Sequence, residues 1–162
     1  EDRKVVKPAR EAAAAAALKA SGQTGSGAAI ELPDGSIVTG KNSDLMTATS
    51  SLVLNAIKQL AEIPDRIHLL APNIIQHIRS LKRDILSLKQ EMLDLEETLI
   101  ALSMSATTNP TADLAMARLR ELAGCEVHLT HIPAPGDEIG LRRLKVNLTV
   151  DPLFPSRDLY LG

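Results

Sequence analysis

The sequence predicts an α/β fold: a three-layer domain around a five-stranded mixed sheet. Three observations carry this expectation. A tight-turn signal joins two short β-like runs, later strand-like runs alternate with helical stretches, and Pro or capping residues mark most of the helix starts. Taken in order, "PAREAAAAAALKAS" (Pro8 to Ser21) is strongly helix-forming, with Pro8 suited to the first turn. Its alanines read as a helix packed closely on a neighbour, and Gly22 to Gly27 as a flexible connector. In "AAIELPDGSIVTG", the runs Ala28 to Leu32 and Ser36 to Thr39 flank a Pro-Asp-Gly turn, which predicts a hairpin.

Asn42 or Ser43 is placed to cap the next helix. On that helix Asp44, Thr47, Ser51, Asn55, Lys58 and Glu62 share a narrow polar stripe, read as the solvent face. Leu45, Leu52, Val53, Ala56, Ile57 and Leu60 form a wide apolar face, with Thr49 in its middle and Ser50 off the stripe. "RIHLLAP" (Arg66 to Pro72) reads as a short buried strand ending at a Pro-initiated helix. Asn73 to Asn109 holds no Gly or Pro, so pattern alone permits one long helix over 74–106. Asp94 and Glu97 have capping-box spacing, which places a break between Ser87 and Leu93. Asn109-Pro110 starts another helix, expected to stop at Gly124. The strand "CEVHLTHI", a turn and short helix in "PAPGDEIGLRRL", and the strand "KVNLTV" complete the order. Alternating strands and helices predict a mostly parallel sheet covered on both faces, with the hairpin as its one antiparallel pair.

Composition narrows the function classes. A chain of 162 residues fits one domain, 1–162, with 1–27 as an Ala-rich helix and connector leading into it. Phe154 and Tyr160 are the only aromatic residues, and the net charge is −2, so neither base stacking nor a basic footprint points to nucleic acid. Cys125 stands alone, which excludes an intrachain disulfide. No signal peptide or membrane-spanning run is evident, and the expected location is cytoplasmic. The opening "EDRKVVKPAR" without an initiator Met reads as the C-terminal part of a longer protein.

Candidate chemistry is sparse. Cys125, His128 and His131 lack a fourth metal ligand, and strand alternation turns the two histidines to opposite faces. His68 and His77 are isolated. The acidic run Glu91, Asp94, Glu96, Glu97 reads as a helix N-terminus with a solvated face, and Arg79, Lys82, Arg83 and Lys89 as an exposed basic one. No Walker-type or dinucleotide-binding glycine motif is present. "VTGKNS" (Val38 to Ser43) leads from a strand to a helix start, where an anion is favoured, and Lys41 and Ser43 are placed to assist.

The segments "RKVVKPAR", "AIELPDGSIVTGKNS", "IHLLAPNII", "LDLEETLIALSMSATTNPTA" and "GCEVHLTHIPAPGDE…LKVNLT" together resemble the C-terminal region of a bacterial family. It is catalogued as domain of unknown function 1846, also uncharacterised protein family 0371. The resemblance covers nearly the whole chain and implies longer relatives, with an N-terminal α/β region carrying a phosphate-loop-like segment. It brings no catalytic residues, and "ILSLKQEML" (Ile85 to Leu93) departs from the polar loop the family implies. The element order is also similar, more distantly, to the start of the cytidine deaminase-like fold. Thr47-Ala48-Thr49 and Pro72-Asn73-Ile74-Ile75-Gln76 stand where that fold has its zinc ligands and its proton-shuttling Glu. Hydroxyls and amides cannot replace thiolate and imidazole, so neither zinc nor deaminase chemistry is expected.

Ligands of such sheets sit beyond the carboxyl ends of parallel strands. The expected ligand-binding residues are therefore Lys41, Asn42, Ser43, Thr49, Ser50, Asn73 and Gln76, with no catalytic or metal-ligating residue. Two functions remain: the accessory domain of a phosphate- or nucleotide-handling protein, or a structural module for self-association through apolar faces near Met92, Met104 and Met116. The expected partners are a second copy and an N-terminal domain of the same protein. No cofactor is expected in this segment; nucleotide or phosphate belongs to the longer protein.

Overall fold

The structure, a computed structural model, describes residues 3–19 and 25–153. Among these, α1 (Val6–Lys19) is followed by the hairpin β1 (Gly27–Glu31) and β2 (Ile37–Lys41). Then come α2 (Ala48–Leu60), α3 (Pro72–Ser80) with a π-helical turn at Leu81–Ile85, α4 (Leu95–Ala106) and α5 (Pro110–Met116). A 3₁₀ turn at Leu119–Leu122, β3 (Glu126–Leu129), α6 (Pro135–Arg143) and β4 (Asn147–Val150) complete the order. The last two residues of the expected first helix, Ala20 and Ser21, the Gly22 to Thr24 part of the connector, and the tail beyond Leu153 lie outside the described residues.

The sheet order is β2-β1-β3-β4. Its four strands correct the expected five, and the expected parallel character is corrected too. β1 pairs antiparallel with both β2 and β3, and only β3–β4 is parallel. The missing strand is Arg66 to Pro72. There the backbone closes a turn through Ile67 N–H to Pro64 C=O at 3.0 Å, and adjacent Leu69 and Leu70 are both buried. The run pairs with none of the four strands and its buried leucines plug the core instead. With it goes the strand on which the deaminase-like element order depended.

Alternation along β1 organises the layers. Ala28, Ile30 and Leu32 join the main core with α2, α4 and α5, while Ala29 faces the other way, against Val5 and Ala9. The alanines of α1 therefore have a structural purpose. A Cβ on Gly27 would collide with Ala9 O and Ala13 N, so Gly and Ala together let helix and strand backbones touch. Gly40 plays the same part on the opposite face, where a Cβ would collide with Leu52 N and Cα on α2.

The hairpin turn forms with Gly35 at φ +88, and Asp34 Oδ1 accepts from Ser36 N–H at 2.9 Å. Residues 74–106 form two helices. The break carries Ser87 at φ +52, and α4 begins with both halves of the capping box: Glu97 N–H to Asp94 Oδ1 and Asp94 N–H to Glu97 Oε1, each 2.9 Å. Buried Lys82 spans the break, donating to Met92 O at 2.7 Å and Glu97 Oε1 at 2.8 Å. No helix among the described residues is long and apolar enough to cross a membrane.

Candidate functional site

A cavity of about 530 Å³ lies where the end of β2 leads into α2. Lys41, Asn42, Ser43, Asp44 and Met46 form one wall. Ser51, Leu54, Asn55 and Lys58 form the α2 wall, and Ala16, His68 and Leu69 close it from α1 and the turn before α3.

The polar groups are held by local bonds. Asn42 is fixed by its N–H to Ser26 O at 3.2 Å and by Ser26 N–H to its Oδ1 at 2.8 Å. Ser43 Oγ accepts from Leu45 and Met46 N–H at 3.2 and 3.4 Å, which folds the loop into a hydroxyl-stabilised turn. Asn55 Nδ2 donates to Thr39 O at 3.0 Å, joining α2 to β2. Lys58 is 8% exposed and donates to Asp65 O at 2.7 Å. Burial lowers the pKa of its ammonium, and the Asp65 charge opposes that shift.

The seven residues expected at the site divide. Lys41, Asn42 and Ser43 share the cavity wall. Thr49 and Ser50 are wholly buried and do not reach it: Ser50 Oγ donates to Leu93 O at 3.1 Å, and Thr49 Oγ1 has no hydrogen-bond partner. Asn73 and Gln76 are exposed on α3 and line neither this cavity nor a smaller one near His131. The stripe assigned to solvent supplies the missing wall instead, through Ser51, Asn55 and Lys58. Helical periodicity located that polar face correctly; what covers a polar face is decided by distant segments, here Ala16 and His68.

Thr47 is corrected as well. It is the N-cap of α2, accepting from Ser50 N–H at 3.2 Å, and its Oγ1 donates to Asp137 Oδ1 at 3.0 Å. The same Oδ1 accepts Leu95 N–H of α4 at 2.8 Å. The N-terminal ends of α2, α4 and α6 thus meet at one carboxyl, 1% exposed, and Met46 and Leu93 form a parallel bridge beside it. Burial pushes Asp137 up to about 7, opposed by its two hydrogen bonds and reinforced by Asp94 and Glu97. Asp94 is also raised by burial.

His128 and His131 are both buried. His128 Nδ1 lies 2.8 Å from Thr149 Oγ1 and Nε2 3.1 Å from Asp151 Oδ1, while His131 lies beyond the end of β3. Burial lowers His131 to about 4. Among the described residues, no three His, Cys, Asp or Glu side chains converge as a metal site.

Comparison with known proteins gives a consistent match. The family described as "Domain of unknown function DUF1846, C-terminal" matches residues 1–160. A UPF0371 protein of Clostridium botulinum is 47% identical over 161 residues, which cover 99% of this chain and 32% of that protein. UPF0371 proteins of Clostridium tetani and Clostridioides difficile are 45% and 46% identical, again over 99% of this chain and 32% of theirs. The chain thus spans about a third of the length of these curated relatives.

Proposed function

The chain belongs to the family of C-terminal DUF1846 domains, and from that premise we propose that it is the ligand-binding accessory domain of a phosphate- or nucleotide-handling protein. The observation that carries this reading is the presence of Lys41 and Lys58 on two walls of one cavity, with Asp44 the single acid among the lining residues. A volume of about 530 Å³ falls in the range of small-molecule sites. Asn42, Ser43, Ser51 and Asn55 add hydrogen-bonding groups to the same lining. None of the lining residues is arranged as a nucleophile with its base. In this reading the domain binds and orients, and any bond-breaking belongs to the rest of the protein. Calorimetric titration with a nucleotide and phosphate panel, on this chain and on a full-length family protein, tests it. Saturable binding that a Lys41→Met, Lys58→Met double variant loses is expected; no binding to either protein contradicts it.

A second reading, self-association, rests on a different surface. Leu81, Ile85, Leu86 and Leu88 are 44%, 73%, 53% and 47% exposed within eight residues. These side chains cluster on the π-helical turn and the break that follows it, an apolar patch that a second copy would cover. Sedimentation over a concentration series tests this. An oligomer dispersed by Ile85→Glu supports it, and a monomer at every concentration rejects it.

A further inference from the structure

We infer that the cavity beside α2 takes a phosphate monoester, held by its phosphate group, and that a nucleobase contributes little to recognition. The inference rests on the reading of this cavity as a ligand site and names the ligand class. Its apolar lining is entirely aliphatic: Ala16, Met46, Leu54 and Leu69. A base is gripped best between flat side chains, and the lining offers only the His68 imidazole, with no Phe, Tyr or Trp to complete a stack. Phe154 and Tyr160, the two aromatic residues of the chain, are not among the described residues.

The polar lining favours a compact dianion. A monoester carries close to two negative charges near neutral pH, against one for a diester. Lys41, Lys58 and His68 line the same cavity, with Asp44 among the lining residues and the Asp65 charge acting on Lys58 as opposing acids. Lys58 sets the strength. Its ammonium is withdrawn from water and its one recorded hydrogen bond, to Asp65 O, leaves two N–H donors. Burial disfavours that charge, so a dianion arriving beside it relieves a cost already present in the folded protein. A buried point charge of this kind discriminates by charge more than by shape. Asn42 and Asn55 are tied down by their own hydrogen bonds to Ser26 and Thr39, which leaves the sugar or carbon skeleton with mainly aliphatic contacts.

Isothermal titration of the full-length protein with glucose 6-phosphate, AMP, adenosine and methyl phosphate diester tests the inference. Glucose 6-phosphate and AMP are expected to bind within a few-fold of each other, adenosine and the diester far more weakly. Lys58→Met is expected to weaken both monoesters by about 30-fold. Because Lys58 also holds Asp65, Ser51→Leu serves as the second variant: it fills the cavity and breaks no recorded side-chain bond. Adenosine binding as tightly as AMP overturns the monoester inference while leaving the cavity as a ligand site. Monoester binding unchanged in both variants, or no binding by any of the four compounds, overturns the cavity reading and the inference together.

Discussion

Thr47 and Asp137, 90 positions apart, are joined by a 3.0 Å hydrogen bond from the Thr47 hydroxyl to the Asp137 carboxyl. Thr47 caps α2 and Asp137 lies in the first turn of α6, while the backbone N–H of Leu95 at the start of α4 binds the same oxygen at 2.8 Å. One buried side chain therefore fixes three helix ends, and its other oxygen, Oδ2, has no hydrogen-bond partner.

This geometry predicts a pH-dependent stability. The folded state keeps Asp137 protonated up to about 7, whereas the unfolded chain releases that proton near 3.8. Between those values the folded state binds more protons, so the contribution of this group falls as pH rises and levels off above about 7. Asp137→Asn should remove that slope. Urea unfolding of both proteins from pH 5 to 8 measures it, and parallel curves would count against the assignment.

His131 predicts the opposite trend. Its folded value of about 4 lies below the ordinary 6.5, so the unfolded chain takes up a proton first as pH falls. Stability from this group is complete above 6.5 and is lost as pH falls toward about 4. His131→Leu should flatten that acid-side loss, as read from melting temperatures between those two pH values; an unchanged acid limb would exclude His131 as its source.

The close approach of α1 to β1 predicts that Gly27→Ala costs about 3 kcal/mol, because the new methyl group meets helix backbone that cannot rotate away. Gly35→Ala meets no neighbour, so only its positive φ is penalised, at about 1 kcal/mol. Denaturant midpoints should rank the two in that order. Equal losses would mean that the α1–β1 packing is looser than described.

Glu97→Ala removes half of the capping box and the carboxylate partner of buried Lys82 in one step. The expected loss is about 2 kcal/mol or more. Glu96→Ala, which makes no recorded side-chain bond on the same turn, should cost a few tenths at most. Chemical denaturation of the pair compares them directly, and similar losses would argue against the bridge across the helix break.

Local signals in the sequence were sufficient for the hairpin, the Pro-initiated helices and the break before Asp94, because each depends on residues a few positions apart. Arg66 to Pro72 misled because an apolar run has the same composition whether it pairs in a sheet or plugs a corner of the core. The site was half legible for a related reason. Lys41 to Ser43 are marked by a strand-to-helix transition, but Ser51, Asn55 and Lys58 look like any solvated helix face until Ala16 and His68 are brought to the same cavity. Asp137 gave no distinctive signal, since an acid in the first turn of a helix is common and its partners come from two other helices.

The central claim is that the polar stripe of α2, and not its inward hydroxyls, forms the ligand wall. Titration of glucose 6-phosphate into Ser51→Leu and Thr49→Val tests it most directly. Thr49 Oγ1 is buried without a partner, so Thr49→Val should leave both stability and binding close to wild type. Ser51→Leu should abolish binding while the protein stays folded. Binding lost in Thr49→Val and retained in Ser51→Leu would contradict the account.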